Sequence, residues 1–559
     1  MKKHALLFSV ILVHFVLITA LSAEASTQKP TLGEIRFPTS AQSEQAQAHF
    51  LRGVAALHSF WYPVALDEFR AATRIEPNFV MGYWGEAMPH NHPIWGDPQE
   101  TEAARKVLAK VTDAAQLTPR ERAYWQAIKV LYGEGDKTAR DKAYAQAMGK
   151  IYRAYPNDIE AALFYALALM GSVQPEDPAA LQIRLRAGDI ASAVYRKHPN
   201  HPGAAHYVIH AYDDPEHASK ALDAARRYAK IAPAAPHALH MPSHIFLQLG
   251  MWPEAAASNA ASWAASKQWV ERKHLPVSKR DYHSLHWLLY VYLQQGRYND
   301  AEDLLKVMRQ SLVDGPQDDQ FFMGYGAFTY ASMAAAFVIE TERWELANEI
   351  FAPLQTNAAL TAMASSPSPY QALAQYVQAL EIFTRGLAAA HRGVPDSQLG
   401  IDKLQAMEQR TGKGVVPGVG LTLAKVLEIQ RLEIAAVASA ARGDQAEAIT
   451  FMKRAVALIE APPPGPPPLI KPPHELFGQM LLRADQPQPA AEQFAVALRR
   501  HPNRARSLLG MARANAQAGD TQAAAKAYTQ FRQQWQSADE QLEELREARA
   551  YGQQASTRR

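Results

Sequence analysis

The chain has 559 residues, with 58 Lys and Arg against 55 Asp and Glu, and a formal net charge of +3 at pH 7. It contains no cysteine, which excludes disulfides, thiolate metal ligands and cysteine nucleophiles. A nearly neutral charge without a basic block argues against a nucleic-acid partner, and the alanine-rich composition with few β-branched runs predicts an all-α fold.

The N-terminus has the pattern of an export signal. Lys2 and Lys3 precede an apolar run over residues 5–21, and Ala23-Glu24-Ala25 offers a small-x-small cleavage site. We therefore predict a signal peptide over residues 1–25 and a mature protein in the periplasm. An uncleaved membrane anchor is the alternative, although the run is short for a bilayer span. No later segment is expected to cross a membrane.

A helix–turn–helix unit recurs after the signal, with a period of 34 residues between Pro199 and Pro233. Small residues at unit positions 8 and 20 let two helices approach closely, and an aromatic residue at position 24 fills the space between them. The first unit has this pattern at Gly53, Ala65, Phe69, Ala72 and Pro77, and a C-terminal unit has it at Gly478, Ala490, Phe494, Ala497 and Pro502.

The repeats and their breaks predict an α-solenoid, a right-handed superhelix of hairpins, divided into successive parts. These parts are residues 1–25 (signal peptide), 40–180 (N-terminal repeats), 181–313 (central histidine-rich repeats), 314–460 (degenerate repeats), 461–473 (proline-rich connector), 474–537 (C-terminal repeats) and 538–559 (polar tail). In such an array each hairpin buries its apolar face on the next, so function depends on the residues that line the concave surface.

Eleven of the 20 histidines fall between His198 and His286. Units that start at Pro202, Pro236 and Tyr282 place most of them at matching positions. Position 5 holds His206, His240 and His286, position 9 holds His210, His244 and Tyr290, and position 2 holds His237 and His283. Because positions 2, 5 and 9 lie about one helical turn apart, these side chains share one face.

The unit period and packing residues resemble the tetratricopeptide repeat (TPR) family. Within it, Trp84-Gly-Glu-Ala-Met88, His206-Tyr-Val-Ile-His-Ala-Tyr-Asp213 and His240-Met-Pro-Ser-His-Ile-Phe246 resemble exported bacterial TPR proteins, some of which are labelled components of the TonB system. The resemblance implies a protein or peptide ligand held by groove positions 2, 5, 9 and 12. Those positions are His206, His210, Asp213, His237, His240, His244, His283, His286 and Tyr290. Ordinary peptide grooves favour Asn, Lys and Arg instead of imidazole.

One interpretation of the histidines is a metal site. Histidines four residues apart present two imidazoles on one helical face, and neighbouring first helices lie close enough for these pairs to meet. The predicted ligands of one ion are His206, His210, His240, His244 and His286, with Asp213 as a ligand or an orienting group. Zinc, iron, copper and nickel all suit such a ligand set.

Two other interpretations stay open. Buried histidines that bond to tyrosines or backbone carbonyls would serve only packing, which leaves a structural adaptor. A metal-dependent hydrolase or oxidase, with His240 or His244 as base, is the enzymatic alternative, but no catalytic motif identifies its residues. We therefore predict a binding scaffold for a protein, peptide or small ligand, held in the histidine-lined groove through a metal ion, in preference to an enzyme.

Overall fold

The computed structural model describes residues 31–94, 99–174, 177–355, 360, 363–364, 371–411, 421–460 and 470–557. Helices are the regular elements of these residues, and no β-strand occurs among them, so the predicted all-α fold is confirmed. The predicted signal peptide, Trp95 and the run of prolines over residues 462–468 lie outside the described residues.

The N-terminal part is a succession of antiparallel helices. They are α1 (Glu44–His58), α2 (Tyr62–Ile75), α3 (Val80–Ala87), α4 (Thr101–Leu108), α5 (Pro119–Leu131), α6 (Lys137–Ala154), α7 (Ile159–Gly171) and α8 (Ala180–Lys197). Side-chain caps mark several of their starts; the Ser43 hydroxyl, for example, accepts a hydrogen bond from the amide of Ala46 at 3.2 Å.

The first hairpin is built as its packing residues predict. The Phe69 ring on α2 is fully buried, and a Cβ atom placed on Gly53 of α1 or on Gly85 of α3 would collide with it. Phe494 makes the same contacts with Gly478 and Gly510 near the C-terminus. Glycine on both sides therefore lets three successive helices close around one aromatic ring.

The central part carries the aligned histidines. Its helices are α9 (Pro202–Ala211), α10 (Leu222–Ile231), α11 (Pro236–His240), α12 (Pro242–Gln248), α13 (Trp252–Arg272), α14 (Tyr282–Gln294) and α15 (Tyr298–Asp314). The break between α11 and α12 falls at Met241, just before Pro242, which has no amide hydrogen to continue the ladder.

The remaining helices continue the array to the polar tail. They are α16 (Gln320–Thr341), α17 (Ala352–Gln355), α18 (Gln371–His391), α19 (Asp396–Glu408), α20 (Leu423–Ala441), α21 (Gln445–Ala457), α22 (Pro473–Arg483), α23 (Pro487–Arg500), α24 (Ala505–Gln517), α25 (Thr521–Gln534) and α26 (Glu543–Thr557).

Both ends of the array contact the central part. At the C-terminal end, the Trp535 indole donates to the carbonyl of Gln294 at 3.1 Å. At the N-terminal end, Nδ1 of His58 on α1 lies 2.8 Å from the hydroxyl of Tyr207 on α9. The histidine-bearing helices are therefore fixed from two directions by parts of the chain that are distant in sequence.

One helix corrects the expectation that no later segment is apolar enough to span a membrane. Among the described residues, α16 alone has the length and composition for it, with a mean hydropathy of 1.4, and 89% of its apolar window is buried inside the structure. The core helix of a protein that never meets a lipid bilayer passes the same test, so the property is weak grounds for a membrane span.

Replacing Phe69 by alanine tests the packing of the first hairpin. We expect a loss of about 3–5 kcal/mol of unfolding free energy, because the substitution leaves a cavity lined by two glycine-bearing helices. Phe321→Ala is the matched control, since that ring is 40% exposed. Urea unfolding followed by circular dichroism measures both, and equal losses in the two variants would contradict this packing.

Candidate metal centre

Three first helices bring the histidines together. His206 and His210 lie one turn apart on α9, His240 ends α11, His244 follows on α12, and His283 lies in the first turn of α14. Each of these helices starts after a loop, and the N-cap side chains of His201 and Asp281 accept amide hydrogens at the starts of α9 and α14. The helix starts are thus held firmly where the imidazoles must meet.

The first trio consists of His206, His210 and His237. One ring nitrogen from each lies within 4.8 Å of the other two, and the Nε2 atoms of His206 and His237 are 3.1 Å apart. Nε2 of His210 is buried without a hydrogen-bond partner among the described residues. A buried, unpaired imidazole nitrogen costs free energy unless something absent from the protein chain binds it.

The second trio consists of His240, His244 and His283, and its ring nitrogens also lie within 4.8 Å of one another. The Nε2 atoms of His240 and His244 are 3.0 Å apart, and the His283 ring centroid is 4.6 Å from that of His240. A metal ion with bonds of 2.0–2.1 Å in tetrahedral geometry would hold its nitrogen ligands about 3.3–3.4 Å apart. The 3.0 Å between the two Nε2 atoms is a little shorter than this value, and the His283 ring nitrogen lies within 4.8 Å of both.

The two trios follow one register rule. Each takes positions 5 and 9 of one unit and position 2 of the next: His206 and His210 with His237, and His240 and His244 with His283. The repeat therefore makes the same three-imidazole arrangement twice, from different helices.

Hydrogen bonds fix the protonation of the second trio. Nδ1 of His240 lies 2.6 Å from Oδ1 of Asn259, and the Asn259 amide donates to the carbonyl of Ala255 at 2.8 Å, which fixes its orientation. Nδ1 of His244 lies 2.6 Å from a carboxylate oxygen of Asp213. Both Nδ1 atoms therefore donate hydrogens, so in the neutral rings both Nε2 atoms carry lone pairs. Two lone pairs at 3.0 Å repel unless a cation lies between them.

Burial disfavours the charged form of three of these imidazoles. It lowers the pKa of His240 well below the ordinary value, with a further lowering from the neighbouring His244. Burial has the same effect on His206, helped by His210, and it lowers the pKa of His210 to about 3. Burial would raise the pKa of Asp213, but the charge and hydrogen bond of His244 lower it overall. His206, His210 and His240 thus offer neutral ring nitrogens, and an ionised carboxylate lies behind His244.

A third group, the closed cluster of His58, Glu160 and His201, satisfies itself. The two Glu160 oxygens lie 2.6 Å from Nε2 of His58 and 3.0 Å from Nε2 of His201. The other ring nitrogens face the Tyr207 hydroxyl and the Ala204 amide. Burial would raise the pKa of Glu160, but His201 and His58 lower it to about 2. Every ring nitrogen here has a protein partner, so this cluster needs no metal ion.

The closed cluster also supports the first trio. Nδ1 of His206 lies 2.6 Å from the backbone carbonyl of His58, so it donates its hydrogen there and leaves a lone pair on Nε2. Position 2 of this unit is Gly203, and a Cβ there would collide with the His58 ring. His58 therefore occupies the place that His237 and His283 occupy in the next two units.

Aromatic side chains wall the trios, and one of them also lines a small pocket. The Phe60 ring centroid lies 4.5 Å from that of His206, and the Trp287 ring lies 4.3 Å from that of His244. Phe60 also lines a small pocket of about 20 Å³ that is partly open to solvent. Its lining is mostly apolar and consists of Leu57, Phe60, Tyr62, Met88, Asn91, Pro93, Asp141, Tyr144, Phe164, Leu167, Ala168 and Gly171.

The structure does not gather the predicted ligands around one point. His206 and His240 belong to different trios, and His286 belongs to neither, because its ring faces Phe328 at 6.3 Å. His237 and His283, which the sequence predicts as groove residues but not as metal ligands, lie among the candidate ligands. Asp213 orients His244 from behind, as the orienting role predicts.

Tyr290 lies apart from the histidines. Its hydroxyl accepts a hydrogen bond at 3.1 Å from Arg504, which is buried with Glu475 and Glu340 at the contact with the C-terminal units. Position 9, which holds His210 and His244 in the first two units, thus holds Tyr290 in the third, and this tyrosine contacts the C-terminal units through Arg504.

Sequence reasoning missed His58, Glu160 and Asn259. Asn259 lies on α13, the second helix of its hairpin, whereas the repeat register places groove residues on first helices only. His58 and Glu160 are 102 residues apart, and no local spacing connects them. The local sequence feature that could have pointed to this cluster is Glu160, an acidic residue in the first turn of the strongly apolar α7.

Comparisons with known proteins assign no family to the chain. No family model and no curated protein matches the chain. Among solved structures, a human IFIT1 dimer with PPP-AAAA is 12% identical, over 89% of this chain and 92% of that one, with a TM-score of 0.35. The P58(IPK) TPR domain is 14% identical, over 72% and 99% of the two chains, with a TM-score of 0.22. The APC/C hetero-tetramer Cut9–Hcn1 is 13% identical, over 90% and 96%, with a TM-score of 0.26.

These likenesses are too low to carry an argument about function. The chain's own helices show that it is an array of α-hairpins, and its histidine trios are the features that bear on function.

Acid should destabilise the metal-free protein between pH 6.5 and about 4.5. Buried His206, His210, His237 and His240 have lowered pKa values in the fold, but they titrate near 6.5 when the chain is unfolded. In this window the unfolded chain binds more protons, so the unfolding free energy falls as the pH falls. Glu433 acts in the opposite sense, because burial raises the pKa of its carboxyl well above the ordinary value.

The thermal midpoint of metal-free protein between pH 7.5 and 4.5 measures this effect. His210→Gln removes one of the titrating groups and should make the decline shallower. A midpoint that stays constant over the whole range would show that the imidazoles are not buried in neutral form.

Proposed function

We propose that this chain is a metal-binding repeat protein, a helical scaffold that holds a transition metal ion in its histidine trios and presents it to a ligand in the groove. The observation that supports this most directly is the pair of Nε2 lone pairs of His240 and His244, 3.0 Å apart, each fixed by an acceptor on the opposite side of its ring. Such a pair takes either a shared proton or a metal ion.

Three features favour the metal ion over a proton. First, burial lowers the pKa of His240. Second, a third imidazole, from His283, lies close to the other two. Third, the Asp213 carboxylate bonds to Nδ1 of His244, as carboxylates do when they orient a metal-ligating histidine. A shared proton would require only two of the three rings. Neutral imidazoles without thiolates suit zinc, copper, nickel or iron.

Three protein ligands leave a coordination position for something else. His237 and His283, one in each trio, are partly exposed toward the groove. A peptide or small molecule with a nitrogen or oxygen donor could complete the coordination from that side, which would give the scaffold a ligand chosen by metal chemistry. Residues 1–25, which we propose to be an export signal, would place this site in the periplasm. The partner that completes the coordination in the groove could also be a side chain of another protein.

Metal-dependent catalysis is the second candidate function. It is favoured by the trios themselves, since a catalytic metal ion has three protein ligands and one open coordination position.

Removing one ligand should remove the metal. Protein purified without a histidine tag should contain a transition metal by elemental analysis, and His244→Ala should lose most of it while retaining its helical circular dichroism. Asp213→Asn should weaken binding about 10–100-fold, because the ligating ring loses its orienting carboxylate. His198→Ala, at an exposed histidine outside the trios, is the control. Equal metal content in all four proteins would refute the proposal.

Cobalt(II) tests whether a coordination position is open, which both candidate functions require. The visible bands of the cobalt-loaded protein should shift when azide is added, because the anion replaces a weakly held ligand. Bands that do not change with excess azide would indicate a closed, purely structural site and would exclude catalysis at the metal.

A further inference from the structure

The trios are neighbours. The ring centroids of His210 and His244 are 6.0 Å apart, and those of His237 and His240 are 6.1 Å apart. The six imidazoles thus form one continuous row along the groove. Each trio has three ring nitrogens of its own, and no histidine belongs to both.

We propose that the two trios bind two metal ions at the same time and form a binuclear centre. This inference rests on the proposed function and extends it from one ion to two. The register rule supports it, because positions 5, 9 and 2 supply the first trio as they supply the second. Since no ligand is shared, filling one trio takes no donor atom from the other.

The lone pairs of the first trio also call for a cation. Nε2 of His206 is bare, because Nδ1 donates to the His58 carbonyl, and it points at Nε2 of His237 from 3.1 Å. Nε2 of His210 is buried with no partner among the described residues. An ion in the second trio alone would still leave Nε2 of His210 without a partner among the described residues, and an ion in the first trio would supply that partner.

Charge makes the two sites unequal. Asp213 lies against His244, and Asp281 is close enough to His283 to act on its pKa, so carboxylates surround the second trio. Asp213 also acts on the pKa of His210 in the first trio, but its hydrogen bonds go to His244 and Gln248, and the groups that act on the pKa of His237 are histidines. Two cations this close repel each other. We therefore expect the second trio to fill first, and a small bridging anion such as hydroxide or azide to offset the repulsion when both are filled.

Copper(II) titration of the full mature chain tests this arrangement. Wild-type protein should bind two ions per chain, the second at least tenfold more weakly than the first, and azide should narrow that difference. His237→Ala should retain one tight ion in the second trio, and His283→Ala should retain one weak ion in the first. His210→Gln, which removes another ligand of the first trio, should give the same result as His237→Ala, and circular dichroism checks that every variant is folded.

Electron paramagnetic resonance provides an independent measurement. Two copper(II) ions within one row should broaden or suppress each other's signal in wild-type protein, whereas each single-trio variant should show a normal isolated signal. One ion per chain, lost from both His237→Ala and His283→Ala, would overturn the binuclear centre while leaving the proposed metal function intact. Two isolated, non-interacting signals would also overturn it. No bound copper in any protein would refute both proposals.

Discussion

The acceptors behind the second trio determine what the site can do. Asn259 and Asp213 each take the Nδ1 hydrogen of one ring, His240 and His244, and thereby turn the two Nε2 lone pairs toward each other. Without these acceptors either ring could flip or exchange its tautomer, and the pair would become an ordinary hydrogen bond. With them, the pair can hold either a shared proton or a metal ion, and burial makes a proton on His240 unfavourable. The closed cluster shows the contrast, because there Glu160 supplies the negative charge and every ring nitrogen has a partner.

The hairpin array explains how such a site arises from simple parts. Glycines at the helix contacts, such as Gly53 against Phe69, bring neighbouring helices close together. Equivalent positions of successive first helices are then separated by roughly the 8–10 Å of helix packing, a distance that two imidazoles can bridge. A histidine at position 2 therefore reaches the histidines at positions 5 and 9 of the preceding unit, and repetition of the unit gives a second site.

Most of the fold could be predicted from the sequence, because its signals are local. The packing residues of the first hairpin and the alignment of the histidines follow from spacing alone. Membership of each trio could not be predicted, because it depends on how one unit is rotated against the next. The second helix of the unit that starts at Pro236, α13, has 21 residues, whereas α10 in the preceding unit has ten. Position 2 of the following unit, His283, still enters the site, whereas position 5, His286, faces Phe328. The contribution of His58, 148 residues before His206, follows only from the winding of the whole array.

X-ray absorption at the metal edge tests the central claim most directly. The fine structure of zinc- or copper-loaded protein should show a shell of nitrogen ligands at about 2.0–2.1 Å, with the multiple scattering of about three imidazoles per ion, and His283→Ala should lower that number in the second trio. A shell dominated by oxygen, or one imidazole per ion in wild-type protein, would mean that the metal lies elsewhere and that the facing nitrogens of His240 and His244 share a proton.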